Sequence, residues 1–222
     1  MIICDELKKT SYWSFLSENE KTLLLQGAIS KKYNKDNYIY GMNDVCLGMV
    51  YVCKGSIRVY MTSLEGREVT LFHIKEGECC IMSASCAIAN VTLDVELLAE
   101  DNTEIIAVHS GSIKKLIDSN IYFKSYVYEL VTKRFSSVVN VLQEIIFDKF
   151  DTRLAKFLLS IYEKTRNAVI RMTQETIAIE INTAREVVAR MLKKFASDNL
   201  IELKRGIIIL KDIDNLKKIS KQ

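Results

Sequence analysis

The sequence predicts an α+β protein: a β-rich first half, a long helical stretch and a basic, mostly helical C-terminal segment. Three observations predict this order. Short apolar runs separated by turn residues recur about every ten residues between Ile29 and Val108, which is typical of an antiparallel sandwich or barrel. Residues 112–146 contain no glycine or proline and repeat apolar side chains with a helical period. Residues 148–222 carry 16 basic against 10 acidic residues, a balance of +6, whereas residues 1–147 carry 15 against 18, a balance of −3.

The composition excludes several classes of protein. The 222 residues are 49% hydrophobic and include no proline, so we expect a globular protein rather than a disordered or collagen-like one. No apolar run approaches the roughly 20 residues of a membrane span. The first ten residues lack the basic-then-apolar layout of a signal peptide. We therefore predict a cytoplasmic protein without a membrane partner.

The β-rich half follows a predicted helix over residues 11–27, in which Ser17 and Glu20 have the spacing of a capping box. Turn signals such as Lys54–Gly55 and Asp101–Asn102 separate the predicted strands. These strands are Tyr38–Tyr40, Gly48–Cys53, Ser56–Thr62, Glu68–Ile74, Val91–Ala99 and Thr103–Val108.

The stretch from Ser112 to Ile146 is predicted to be one helix with a narrow seam. Six of its residues follow one another at the spacings 4, 3, 4, 3 and 4 that are typical of a coiled coil. They are Val127, Val131, Arg134, Val138, Val141 and Ile145. A helix lying on its own sheet is the alternative, but so narrow a seam favours pairing with a second copy. We predict a homodimer in which Arg134 helps to set the register.

The C-terminal segment is predicted to form a helix–turn–helix followed by a two-stranded wing. Asn182 is placed at the turn because asparagine tolerates the left-handed conformation. Thr173 is expected to cap the first helix, and Thr183 the second, with Glu186 three residues on. The predicted elements are a helix at Asp148–Lys164, an extended segment at Ala168–Met172, a helix at Gln174–Glu180, a helix running to Phe195, and strands at Leu200–Leu203 and Ile207–Leu210.

Side chains suited to reading DNA stand at the start of the second helix. Arg185 and Arg190 can each donate two hydrogen bonds to guanine, and Glu186 can accept one from cytosine. The N-terminal end of such a helix is where side chains reach base edges in the major groove. A solvated ion pair between Glu186 and Arg190 is the structural alternative. The turn, the wing and the basic charge around these residues favour DNA recognition.

The segment TQETIAIEINTAREVVARML, followed by DNLIELKRGIIIL, resembles the winged helix of the Crp–Fnr transcription regulators, relatives of the bacterial cyclic-AMP receptor protein. GMVYVCKGSIRVY, EGREVTLFHIKEGE and FDKFDTRLAKFLL are similar to the effector domain and hinge of that family, so the resemblance covers nearly the whole chain. It implies an N-terminal double-stranded β-helix, or jelly-roll, of the cyclic-nucleotide-binding type over residues 1–111. A dimerisation helix would span residues 112–147, and a winged helix-turn-helix DNA-binding domain residues 148–222.

The resemblance also implies a function. The chain would be a homodimeric regulator that binds a palindromic DNA site with TGTGA-like half-sites and contacts RNA polymerase. Arg185 and Arg190 would meet guanines, and Glu186 a cytosine. Contacts to DNA phosphates would come from Thr173, Gln174, Ala184, Lys204 and Arg205.

The effector pocket of the family is matched only in part. Gly77 and Glu78 correspond to the start of its phosphate-binding cassette, where the glutamate contacts ribose. The Arg-Ser pair of the cassette falls at Leu93 and Asp94, and neither a leucine nor an aspartate stabilises a cyclic phosphate. The hydroxyl-bearing positions that meet adenine fall at Val138 and Val139. We therefore predict that cyclic AMP does not bind, that Glu78 is structural, and that the pocket holds another ligand or none.

The six cysteines all lie within the first 86 residues, and Cys79, Cys80 and Cys86 form a local cluster. Clustered cysteines in a cytosolic chain point to a metal, an iron–sulfur cluster or a redox switch. This spacing matches no zinc or iron–sulfur pattern. Core thiols are the favoured interpretation and a thiol sensor the first alternative. An iron–sulfur cluster, or a haem held by His73, is the least favoured alternative, so the cofactor stays unknown and no metal ligands are assigned.

An enzyme is not predicted. A cupin-like metal enzyme on the β-barrel would need several histidines and a carboxylate, but the chain has only His73 and His109. No Ser/His/Asp set, Walker loop or GxGxxG motif is present. A ligand-binding protein that has lost DNA binding is the other alternative, and the set Arg185, Glu186 and Arg190 argues against it. The effector, the target promoters and the direction of regulation stay open.

Overall fold

The computed structural model describes residues 2–41, 47–81 and 95–221. The chain divides into two compact units. The first comprises Met1–Arg67 and Leu71–Val138, and the second comprises Glu68–Thr70 and Val139–Gln222. Within the described ranges, no helix combines the length and the apolar character needed to cross a membrane.

Among its described residues, the first unit contains two four-stranded sheets, in the orders β1-β8-β3-β6 and β2-β7-β4-β5. Its elements are α1 (Ile2–Leu7), a 3₁₀ turn (Trp13–Phe15), α2 (Glu18–Gln26), β1 (Ala28–Tyr33), β2 (Tyr38–Tyr40), β3 (Met49–Lys54), β4 (Ser56–Thr62), β5 (Glu68–Lys75), β6 (Cys79–Cys80), β7 (Glu96–Ala99), β8 (Thr103–Val108), α3 (Ser110–Ser119) and the start of α4 (Ile121–Phe147). The predicted antiparallel sandwich is confirmed. Helix α1 and strand β1 were not predicted, and part of the predicted strand Val91–Ala99 lies outside the described residues.

The central strands of the first sheet are buried on both faces. Strand β3 has four consecutive buried residues from Met49 to Val52, and it pairs antiparallel with β8, from Met49 opposite Val108 to Val52 opposite Ile105. Met49 and Tyr51 belong to the cluster that also contains core residues of α2, α3 and α4. A continuous apolar run, rather than a strict alternation, is what a strand covered on both sides requires.

Two predicted helices are divided in the structure. Of residues 11–27, only Glu18–Gln26 is α-helical, and its predicted capping box of Ser17 and Glu20 is confirmed. The stretch predicted as one dimerisation helix is two helices, α3 and α4, which meet at Asn120. The Asn120 backbone is extended, and its Oδ1 accepts hydrogen bonds from the N–H groups of Tyr122 and Phe123 at 3.0 Å. This asparagine therefore ends one helix and caps the next.

The second unit contains the predicted helix–turn–helix and wing. Its elements after α4 are α5 (Phe150–Thr165), β9 (Val169–Ile170), α6 (Gln174–Glu180), α7 (Arg185–Ser197), β10 (Ile201–Lys204), β11 (Ile207–Leu210) and α8 (Ile213–Ile219). Strand β9 adds to the hairpin and makes a three-stranded sheet, β10-β11-β9. Buried apolar residues of all three sheet strands and of α5 to α8 form one core. Helix α8 was not predicted.

Candidate nucleic-acid interface

The turn between α6 and α7 has the predicted geometry. Asn182 adopts the left-handed conformation, with φ 54°, and the Thr183 N–H donates to the Ala178 carbonyl at 2.9 Å. At the start of α6, Thr173 Oγ1 accepts a hydrogen bond from the Thr176 N–H at 3.0 Å. The predicted cap of α6 and the predicted turn are therefore both confirmed.

The predicted cap of α7 is wrong. Thr183 belongs to the turn, because its N–H points back to α6, and the N-cap is Ala184 with an extended backbone. An alanine offers no side-chain acceptor, and α7 has no side-chain cap. The first turn of this helix therefore keeps N–H groups without a cap side chain, next to Arg185 and Glu186.

Helix α7 buries one face and exposes the other. Val188, Leu192 and Phe195 are buried in the core of the unit. The predicted base-reading residues, Arg185, Glu186 and Arg190, are all exposed. In the part of the chain that the structure describes, none of these three forms an ion pair, so Glu186 and Arg190 are not engaged with each other. Their hydrogen-bonding groups face solvent.

A groove of about 610 Å³ lies between α6, α7 and the wing. It is lined by four of the five residues predicted to contact phosphates and by one base-reading residue: Thr173, Gln174, Lys204, Arg205 and Arg185. Gly206, with φ +70°, makes the tight turn of the wing next to Arg205. Glu175 also lines the groove, so the groove carries one acidic side chain among its basic ones. Residues separated by about 30 positions in sequence thus share one concave surface.

The two basic residues of the wing differ in their surroundings. Lys204 Nζ lies 3.1 Å from the Glu202 carboxylate, which also accepts from Lys211 at 2.7 Å. The hydrogen bonds from Lys211 and Lys204 hold the pKa of Glu202 below its ordinary value. Arg205 forms no ion pair with any described residue. Of these two wing residues, Arg205 is therefore the one whose charge has no partner among the residues that the structure describes.

In the first unit, Glu78 is held by charges of the same chain. Its carboxylate receives Lys133 Nζ at 2.8 Å and Arg134 Nη2 at 3.4 Å, and the Lys75 N–H donates to it at 3.2 Å. Arg134 also donates to the Cys79 carbonyl at 3.2 Å. The sequence argument missed the two charged partners of Glu78, Lys133 and Arg134, because they lie on α4, more than 50 positions away.

The environment of Glu78 keeps it ionised. Partial burial acts to raise the pKa of its carboxyl, but the hydrogen bond from Lys133, the backbone N–H of Lys75 and the charge of Arg134 together lower it below its ordinary value. The guanidinium of Arg134 also stacks over the Phe72 ring, 4.7 Å from its centroid. Such a set of partners suits a structural carboxylate, as predicted from the sequence.

The other predicted pocket residues are only partly described. Gly77 adopts φ +82° in the turn before β6, and Val138 and Val139 are half-buried on α4. Leu93 and Asp94 lie outside the described residues. The structure therefore gives no geometry for the positions that replace the Arg-Ser pair.

Burial argues against the predicted thiol sensor at Cys79. Cys79 and Cys80 are both buried. Burial raises the pKa of the Cys79 thiol to about 12, so the reactive thiolate is scarce near neutral pH. Burial likewise raises the pKa of the half-buried Cys53 thiol to about 11. Cys86 lies outside the described residues. The interpretation of Cys79 and Cys80 as core thiols is supported.

The predicted dimer seam is wrong for two of its residues. Val127 and Arg134 are each only 3% exposed and are buried within their own chain, so they have no surface to offer a partner. The reason is that this face of α4 covers its own β sandwich. The remaining seam residues are half-buried: Val131, Val138, Val141 and Ile145.

A second heptad pattern runs along α4, one residue further on. Tyr128, Phe135 and Leu142 lie seven residues apart and are 56%, 66% and 50% exposed. Together with the intervening positions they form a stripe that is exposed except at the half-buried Val139, named here the exposed stripe of α4: Tyr128, Thr132, Phe135, Val139, Leu142 and Ile146. The spacing of this stripe is also 4, 3, 4, 3, 4. Spacing alone therefore fits both patterns on α4 and cannot decide which of them is the dimer seam.

Comparison with known proteins identifies the relatives of this chain. A model of the Crp-like helix-turn-helix domain matches residues 152–219. A solved structure described as a transcriptional regulator of the Crp/Fnr family, from Eubacterium rectale, is 30% identical; the match covers 97% of this chain and 100% of that one, with a TM-score of 0.88. The cyclic AMP receptor protein of Thermus thermophilus is 21% identical over 214 residues, 96% of this chain and 98% of its own length.

A more distant structure agrees in fold. The c-di-GMP responsive global regulator of Xanthomonas campestris is 16% identical, covers 87% of this chain and 99% of its own, and has a TM-score of 0.72. At this identity the likeness concerns the fold alone. The two sheets, the helix–turn–helix and these matches confirm the predicted fold class, an α+β chain with an N-terminal jelly-roll and a C-terminal winged helix-turn-helix.

Proposed function

The chain belongs to the Crp/Fnr family of transcription regulators, which bind DNA through a helix-turn-helix domain and are not enzymes, and from this we propose a specific mode of action. A homodimer recognises a palindromic site with TGTGA-like half-sites and contacts RNA polymerase there. Its three parts act as a sensor (1–111), a dimerisation region (112–147) and a DNA reader (148–222). In the dimerisation region we assign the pairing to α4, which begins at Ile121.

One observation carries the base recognition. Arg185, Glu186 and Arg190 share the exposed face at the start of α7, without intramolecular ion pairs among the described residues. Arg185 also lines the groove to which Lys204 and Arg205 contribute. A bidentate arginine on guanine and a glutamate on cytosine would give a GC-containing half-site, with the phosphates held by the basic residues of the groove.

The exposed stripe of α4 supports the dimer. A row of large apolar side chains at heptad spacing is a seam that a second helix would cover. If Tyr128, Phe135 and Leu142 are d positions, Lys124 is a g position and Glu129 is the e position five residues on. In a parallel, in-register pair, Lys124 of one helix therefore meets Glu129 of the other. Neither residue has an ion pair within the described chain, which leaves both free for this contact.

The sensor is proposed to work without cyclic AMP. The support is the departure at Leu93 and Asp94, together with the engagement of Glu78 by Lys133 and Arg134. Titration calorimetry of the purified protein with cyclic AMP should give only the heat of dilution. Saturable binding in the micromolar range would contradict this part of the proposal.

The base-recognition proposal is tested with Arg190→Ala. We expect discrimination at one guanine of the half-site to fall by about 1–3 kcal/mol, measured as the ratio of affinities for matched and mismatched duplexes. Lys193→Ala is the control, because it removes one positive charge from an exposed position three residues further along α7. It should weaken both duplexes alike. An unchanged ratio for Arg190→Ala would refute the assignment.

A further inference from the structure

Four exposed lysines lie outside the DNA contacts described above. They are Lys149, Lys217, Lys218 and Lys221, named here the C-terminal lysine patch. None of them forms an ion pair with any residue that the structure describes. Lys218 makes one side-chain hydrogen bond, to Asn215 Oδ1 at 3.0 Å. Nothing in the base-recognition surface explains this concentration of charge.

Hydrogen bonds of α5 connect the patch to the start of α7. Thr152 Oγ1 donates to the Ile219 carbonyl at 3.3 Å, which brings the C-terminal end of α8 against the first turn of α5. The next residue, Arg153, donates from Nη1 to the Ile181 carbonyl at 3.3 Å. Ile181 ends α6, three residues before Ala184, the N-cap of α7. One turn of α5 therefore touches both the end of α8 and the turn that positions α7.

The neighbouring acidic groups leave the patch positive. Asp148 is paired with Lys156, and Asp151 accepts a hydrogen bond from the Thr152 N–H. The acids of α8, Asp212 and Asp214, stand at its N-terminal end, whereas Lys217 and Lys218 occupy its last turn. The charges on α8 are thus segregated along its axis. The C-terminal lysine patch carries a net positive charge at the edge of the second unit.

We propose that the C-terminal lysine patch is a second contact to the DNA backbone, on phosphates that flank the half-site read by α7. This inference rests on DNA binding by α7 and extends it. Lysine is a mobile point charge that suits phosphate oxygens and distinguishes no base. The patch therefore lengthens the footprint and raises affinity without adding sequence information.

The test uses the full-length protein and a duplex of random sequence. The triple variant Lys217→Gln, Lys218→Gln, Lys221→Gln is compared with a control that removes the same charge from exposed lysines of the first unit: Lys31→Gln, Lys114→Gln, Lys115→Gln. Affinity is measured by fluorescence anisotropy over a range of salt concentrations. Each lost phosphate contact should lower the slope of log K against log salt by roughly 0.9. The control should keep the wild-type slope.

Two further measurements separate this role from a structural one. Lysines in the last turn of a helix also interact favourably with its dipole, so thermal melting reports whether α8 is destabilised. A triple Lys→Arg variant keeps the charge and should keep the wild-type slope. A triple Gln variant that melts normally and retains the wild-type slope would overturn the proposal. This holds also if that variant no longer binds an acidic protein, because the patch would then serve a protein partner and not DNA.

The outcome does not depend on the half-site. Random DNA reports backbone contacts alone, whereas the Arg190→Ala experiment reports base recognition. A wild-type slope in the patch variant with lost discrimination in Arg190→Ala would reject the patch and retain the base-recognition proposal. A lowered slope in the patch variant with unchanged discrimination in Arg190→Ala would support the patch and reject the base-recognition proposal.

Discussion

Phe135 gives the sharpest test of how this chain pairs with a second copy. It stands at the middle of the exposed stripe of α4 and is 66% exposed within a single chain. If the stripe is the dimer seam, each protomer buries this ring against the other. Replacing it by alanine should weaken the dimer without loosening the core of either chain.

The magnitude follows from the exposed fraction. Full burial of a phenylalanine side chain contributes about 1.5–3 kcal/mol. Two-thirds of that, from each of two protomers, gives about 2–4 kcal/mol. At about 1.4 kcal/mol per factor of ten, the dimer dissociation constant of Phe135→Ala should rise roughly 30-fold to several hundred-fold. Sedimentation equilibrium over a concentration series measures that constant directly.

Val127→Ala is the matched control, because Val127 is an apolar residue of the same helix but only 3% exposed. It should lower the melting temperature through the cavity it creates and leave the dissociation constant near wild type. If instead Val127→Ala weakens the dimer and Phe135→Ala does not, the seam is on the other face of α4. The argument from exposure would then be refuted.

Three other outcomes are expected. Lys124→Glu should weaken the dimer. The double variant Lys124→Glu, Glu129→Lys should restore dimerisation, because it restores the interhelical ion pair with reversed polarity. If the double variant dimerises no better than Lys124→Glu, a parallel, in-register seam is excluded. Cys79, with its pKa raised to about 12, should resist iodoacetamide near neutral pH until the protein unfolds, and mass spectrometry that finds it modified in the folded state would contradict its burial. Because the pKa of Glu78 is lowered in the fold, its stabilising contribution is present above the ordinary pKa of 4.5 and is lost as the pH falls through the folded value. Melting temperatures of wild type and Glu78→Gln should therefore differ near neutral pH and converge at low pH; a constant gap would argue that the carboxylate charge is not what Glu78 contributes.

Local signals predicted much of the fold. The Ser17 capping box, the left-handed Asn182 and the Thr173 cap each depend on residues within three or four positions of one another. The apolar face of α7 follows from one helical period. These features could be predicted from the sequence because interactions between residues close together in the chain determine them.

The features that could not be predicted from the sequence depend on long-range packing. Two heptad patterns overlap on α4, offset by one residue, and only the β sandwich determines that Val127 and Arg134 are covered while Phe135 is not. Arg134 carried a signal, because a charged residue in an apolar seam often meets a carboxylate. Its partner Glu78 is 56 positions away, and the contact between them depends on how the sandwich and the helix pack together.

The first turn of α7 has a consequence for the coupling between folding and binding. An alanine in place of a serine or aspartate N-cap typically costs a helix about 1 kcal/mol, so the end of α7 that carries Arg185 and Glu186 frays more readily in the free protein than a capped helix would. A phosphate oxygen at this position would accept hydrogen bonds from the N–H groups that Ala184 cannot cap. DNA would then complete the helix that recognises it. Amide hydrogen exchange at Arg185 and Glu186, fast in the free protein, would slow in the complex.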